Sequence, residues 1–144
     1  MKIEENLNLD HIIYKMYCLD TNIVIDFLRG NKLIINKINF MQQNNKMFIT
    51  AITLCELYRG AFLSSRKDYQ LDVIEKFVES IEVLNLEKNA CKIFGEEFAR
   101  LQKIGKITQQ LDLIIASIVK ANNLVIVTRD KKHFQNLGIR IEEW

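Results

Sequence analysis

Four acidic residues carry the chemistry that this sequence could do: Asp20, Glu56, Asp112 and Asp130. Asp20 directly follows the apolar run Tyr17-Cys18-Leu19 and precedes an amphipathic segment. Asp130 has the same context just beyond Leu124-Val125-Ile126-Val127-Thr128. Either could be no more than a helix N-cap, for which Asp is among the best residues. Glu56 lies three residues after Thr53, the spacing of a capping box. With Thr50 as the cap instead, Glu56 falls inside the helix, flanked by Leu57. Asp112 resists such an account, because its neighbours are Leu111, Leu113, Ile114, Ile115 and Ala116. An acid buried among these must be paired, protonated or bound to a cation.

Taken together, four carboxylates in one crevice would repel one another, and some would be forced to hold a proton. A divalent cation supplies the missing positive charge. Hard oxygen donors favour Mg²⁺ or Mn²⁺, and Mg²⁺ typically keeps several waters while binding one or two carboxylates. Such a site suits phosphodiester hydrolysis: the cation offsets charge on the phosphate, and a metal-bound or carboxylate-held water attacks in line.

The elements that must position these acids alternate. Apolar periodicity predicts a strand over 14–19, helices over 22–29 and 32–41, and a strand over 47–50. Helices over 52–63 and 67–80, a strand over 81–84 and a long helix over 87–104 follow, the last with Ala90, Ile93, Phe94, Phe98 and Leu101 on its inner face. Gly30 and Gly105 act as helix stops. The segment 111–121 is apolar enough for a buried helix, and the β-branched run 124–128 suits a central parallel strand. A short helix over 131–136 and a strand over 138–142 close the chain. This alternation implies an α/β domain with a mainly parallel sheet of four or five strands and helices on both sides. In such sheets the functional crevice lies beyond the C-terminal strand ends, where Asp20 and Asp130 stand.

Composition sets the frame. The 144 residues suffice for one domain with a single core, and the apolar (49%) and charged (26%) shares are those of an ordinary globular protein. A net charge of +2 lacks the strong basic excess of a protein that coats nucleic acid. No apolar run approaches the roughly 18 residues of a membrane span, and the acidic start is not a secretory signal. Cys18, Cys55 and Cys91 are widely spaced and odd in number, which predicts three reduced, buried thiols in a cytoplasmic protein.

The run Tyr17-Cys18-Leu19-Asp20-Thr21-Asn22-Ile23-Val24-Ile25-Asp26 resembles the opening of PIN-domain ribonucleases, above all the VapC-type toxins of toxin–antitoxin pairs. Ile52 to Ala61 around Glu56, Gly105 to Ala116 around Asp112, and Val127-Thr128-Arg129-Asp130-Lys131-Lys132-His133-Phe134 resemble that family's remaining acidic motifs in the same order. Each motif alone is weak; four in order are specific. The resemblance covers residues 14–144, and it leaves 1–13 as an N-terminal extension, with Met16 an alternative start. It implies a PIN-like, Rossmann-like three-layer α/β/α sandwich and an Mg²⁺-dependent endoribonuclease that forms a homodimer and is neutralised by an antitoxin. In that family's pattern Asp20 and Asp112 are the main metal ligands, with Glu56 and Asp130 completing the site directly or through water. Thr21, Asn22 and Thr128 fall where small polar residues orient acids or solvent.

Other residues are weighed individually. Asp26, Glu96 and Glu97 are expected on solvated helix faces, and Tyr58 and Phe134 in the core. Arg59, Arg129 and Lys131, with Arg29 and Lys132, could contact RNA phosphates. His133 is given no role, since a metal mechanism does not require it as a base. A receiver domain would need a phosphoacceptor Asp at the end of the third strand, where Asn85 and Glu87 stand instead. A haloacid-dehalogenase phosphatase would need a second aspartate where Asn22 stands. The alternative left open is a catalytically silent PIN-like module that binds RNA or protein.

Overall fold

Strands β1 (Met16–Leu19), β2 (Lys46–Thr50), β3 (Glu82–Leu84), β4 (Val125–Thr128) and β5 (Arg140–Glu143) form one wholly parallel sheet in the order β3-β2-β1-β4-β5. This is a computed structural model that describes residues 15–106 and 108–144. The predicted extension 1–13 and the first residue of the predicted strand, Tyr14, lie outside those residues.

The helices are α1 (Thr21–Leu28), α2 (Lys32–Gln42), α3 (Ala51–Leu63), α4 (Lys67–Glu79), α5 (Lys88–Lys103) and α6 (Gln110–Ala121). Every predicted element is present, with ends shifted by one or two residues. The exception is the predicted helix over 131–136, which shrinks to a single 3₁₀ turn, Lys131–His133.

The pleat sorts strand side chains onto two faces. Tyr17, Leu19, Met47, Ile49, Val125 and Val127 pack with residues of α1, α2, α3 and α4 in one core. The alternate residues Cys18, Phe48 and Ile126 pack with Leu101 of α5 and with Leu113, Ile115, Ala116 and Val119 of α6 in a second core. A central parallel strand covered on both faces has to be apolar throughout, and all four residues of β4 are buried. α6 is apolar nearly all round, and its buried Ser117 hydroxyl is satisfied by donating to the Leu113 carbonyl at 2.7 Å.

Three expectations on burial are corrected. Only Cys18 is buried, while Cys55 and Cys91 are exposed. Phe98 is 41% exposed and stacks on Phe94 at a centroid distance of 6.0 Å, on the rim of the inner face of α5. Glu97 is largely covered and not solvated, because Arg100 and Lys120 both reach it.

The chain lays β1, β2 and β3 outward in one direction, then returns to place β4 on the free edge of β1. The topological switch therefore falls between β1 and β4, where α/β sheets open a crevice. Among the described residues no helix is long and apolar enough to cross a membrane.

Candidate active site

Asp20 caps α1 directly off β1. Its Oδ1 accepts from the Thr21 N–H at 2.9 Å and its Oδ2 from the Thr128 hydroxyl at 2.8 Å. The same Thr128 oxygen accepts the backbone N–H of Asp130 at 3.0 Å. One buried hydroxyl thus fixes the side chain of the first acid and the backbone of the last. Asp20 is a helix cap and is also the most buried acid of the four, at 6% exposure.

Thr50 caps α3 by accepting from the Thr53 N–H at 3.2 Å, so Glu56 lies inside the helix and not in a capping box. Its Oε1 accepts from the Thr21 hydroxyl at 2.7 Å, and Thr21 contacts the buried Thr53 hydroxyl at 3.0 Å. Thr21 has one hydroxyl proton; since it goes to Glu56, Thr53 donates to Thr21. Asn22 makes a long contact through its Oδ1 to the Arg129 N–H, at 3.5 Å.

Asp112 sits in the first turn of α6, with its side chain 18% exposed. The burial expected from its apolar neighbours is therefore partial: Leu113, Ile115 and Ala116 pack into the second core, while Leu111 is exposed. Asp130 makes no capping hydrogen bond, so the cap reading does not explain it.

His133 links these two acids. Its Nδ1 lies 3.2 Å from Asp112 Oδ2 and its Nε2 3.0 Å from Asp130 Oδ2. Both are ion-pair contacts, in force when the ring carries both protons. The sequence reading gave His133 no role. The signal available was its position three residues after Asp130, one turn further round.

Electrostatics tie the four acids together. Burial raises the Asp112 carboxyl above its ordinary range; His133 opposes this, while Asp20, Glu56 and Asp130 push it further up. Burial also raises Asp20 despite the hydrogen bonds from Thr128 and Thr21, with Glu56 adding to the rise. Asp20 and Asp112, whose charged forms are disfavoured, are short of positive charge. The donors are hard carboxylate oxygens, the chemistry that Mg²⁺ and Mn²⁺ accept. Among the described residues no three such groups are already drawn tightly enough to close around one ion.

Two of the expected RNA contacts are engaged elsewhere. Arg59 pairs with Glu56 at 3.7 Å, and Arg129 Nη1 lies 2.9 Å from Asp26 Oδ2. Asp26 is thus not on a solvated face: its side chain is 13% exposed. The Arg129 contact is an ion pair without the alignment of a hydrogen bond. Lys131 is held through its backbone N–H, which donates to Glu143 at 3.3 Å. Phe134 is fully buried as expected, whereas Tyr58 is only partly buried and donates its hydroxyl to Glu75 at 2.5 Å.

Residues 17–139 match the PIN domain family. The chain is 33% identical over 129 residues to "Ribonuclease VapC2" of Haemophilus influenzae, covering 89% of this chain and 97% of that one. It is 36% identical over 129 residues, with the same coverage, to "tRNA(fMet)-specific endonuclease VapC" of Shigella flexneri. Its fold superposes on the crystal structure of VapBC2 from Rickettsia felis bound to a DNA fragment from its promoter. There the TM-score is 0.85 at 27% identity, over 90% of this chain and 98% of that one. A parallel sheet in this order, acids beyond its strand ends and relatives matched over nearly their whole length agree: the chain belongs to the PIN-domain family, alongside the VapC ribonucleases.

Proposed function

We propose that this protein is a divalent-metal-dependent endoribonuclease, the toxin of a toxin–antitoxin pair, acting in the cytoplasm as a homodimer. The observation that carries the reading is the coupling of Asp20, Glu56, Asp112 and Asp130 at one sheet edge, with Asp20 and Asp112 both raised. The relatives named as a ribonuclease and an endonuclease support hydrolysis of RNA. The likeness to a VapBC structure supports an antitoxin partner.

Asp20 and Asp112 would hold Mg²⁺ or Mn²⁺, with Glu56 and Asp130 completing the site directly or through water. Bound there, the ion would offset charge on the scissile phosphate and favour ionisation of an attacking water. The protein's own groups supply the rest. Thr128 and the Thr21 N–H hold Asp20 in place, and the Thr21 hydroxyl aims Glu56. His133 holds Asp112 and Asp130 a ring's width apart.

Inducible expression tests this. Wild type is expected to arrest growth and, once purified, to cleave RNA with Mg²⁺ or Mn²⁺ and not in EDTA; Asp20→Asn and Asp112→Asn are expected to do neither. Undiminished cleavage in EDTA, or by Asp112→Asn, defeats the metal mechanism. A folded wild type that binds RNA without cutting it establishes the silent-module alternative.

A further inference from the structure

A hollow of about 360 Å³ opens beside the acidic cluster and shares Asp112 and His133 with it. Its other walls are Lys106, Thr108, Gln109, Lys132 and Asn136. Every one of these is polar, and the one ring at the hollow's edge, His133, is held between Asp112 and Asp130. What it offers is two ammonium groups and three neutral side chains able to donate hydrogen bonds, a set that suits an oxyanion.

Lys106 is held there by a relay of side chains. Glu97, largely covered, pairs with Arg100 at 2.5 Å and with Lys120 at 3.3 Å. Arg100 donates onward to the Asn136 backbone carbonyl at 2.6 Å, and the Asn136 side-chain oxygen accepts from Lys106 Nζ at 3.1 Å. The last link is neutral, so it orients the ammonium without cancelling its charge. Lys132 has no carboxylate partner among the described residues. Arg59 and Arg129 differ, each being already paired to an acid. This flank therefore carries uncancelled positive charge beside Asp112, as Arg29 and Arg66 do in the hollow beside Glu56.

We propose that the hollow is a phosphate subsite in which Lys106 and Lys132 grip the backbone phosphate of the nucleotide next to the one cleaved. It rests on the nuclease reading above and sets the side of the acids along which a single-stranded RNA runs.

The test is steady-state cleavage of a short single-stranded RNA at saturating Mn²⁺ over a series of salt concentrations. The Lys106→Gln/Lys132→Gln double variant is expected to raise KM about tenfold while kcat stays within about twofold. Its plot of log(kcat/KM) against log[salt] should be shallower than wild type by about 0.7, the slope of one lost phosphate contact on a single strand. Lys106→Arg/Lys132→Arg should restore both, and Lys76→Gln on α4, paired with Asp72, should change neither. An unchanged KM and salt slope in the double Gln variant, with wild type cleaving normally, overturns the subsite and leaves the nuclease reading standing. A wild type that cleaves no RNA overturns both.

Discussion

Thr128 donates its hydroxyl to Asp20 across the β1–β4 seam at 2.8 Å, and the same oxygen accepts the Asp130 N–H at 3.0 Å. Thr128 is fully buried, so no water can replace either bond. Thr128→Val should cost about 1–3 kcal/mol of stability, the penalty of stranding buried polar partners. Cleavage should fall about 10–100-fold, the usual effect of removing a group that orients a metal ligand. Thr128→Ser should keep most of both. Urea unfolding and single-turnover cleavage read the two effects separately.

Asp112→Asn should separate stability from activity. Burial and three neighbouring acids raise the Asp112 carboxyl, so folding penalises its charged form. That penalty is absent below the ordinary Asp range, grows as pH rises toward the folded value, and is complete above it. The Asn variant should therefore melt a few degrees higher than wild type at pH 7, at about 3 °C per kcal/mol, while losing cleavage. Acidification to the ordinary Asp range should close the gap, and a variant that melts lower at pH 7 would contradict the repulsion argument.

Divalent cation should reverse that order. Mn²⁺ at a hundred times its Kd adds about 2.7 kcal/mol to a protein that binds it only when folded. Wild type should gain that stabilisation in a melting scan, and Asp20→Asn and Asp112→Asn should gain little of it. EDTA should remove the gain, and equal stabilisation of all three proteins would place the cation elsewhere.

His133→Gln should weaken Mn²⁺ binding and lower kcat/KM, each by about tenfold. The ring is the only side chain seen pairing with the carboxylate of either Asp112 or Asp130 among the described residues. Because His133 is about half exposed, the melting temperature should barely move. Calorimetric titration with Mn²⁺ isolates positioning from general damage; unchanged affinity would mean the ring does not set the carboxylate spacing.

Glu97 supplies the opposite pH signature. Burial alone would raise its carboxyl, but the hydrogen bonds from Arg100 and Lys120 outweigh burial and hold it below the ordinary range. The resulting stability is present above the ordinary Glu range and is lost as pH falls through the folded value. Glu97→Gln should cost about 1 kcal/mol at pH 7, since both cations are well exposed. The difference from wild type should vanish in acid, as followed by urea unfolding at a series of pH values.

What could be read from the sequence divides along physical lines. The unbroken β-branched run of β4 announced a strand covered on both faces, and the strand-end rule located Asp20 and Asp130 before any geometry was known. Periodicity reports which face of an element is apolar; it does not report what stands opposite the polar face. That is why Asp26 and Glu97 looked solvated, although Arg129, Arg100 and Lys120 cover them. Asp112 was expected to be deeply buried, but the core takes Leu113, Ile115 and Ala116 and leaves Leu111 exposed beside it. His133 was passed over because its role lies in two contacts, one to its own turn and one to α6.

The sheet order also governs when the protein becomes itself during synthesis. β4 is made long after β1, yet it lies inside the sheet beside it, and Thr128 and Asp20 meet across 108 residues of chain. A nascent polypeptide that ends before β4 has neither the hydroxyl that fixes Asp20 nor Asp130 nor His133. Its sheet has a bare edge where the crevice should open. The acidic site therefore cannot assemble until β4 and the turn that carries Asp130 and His133 have been made.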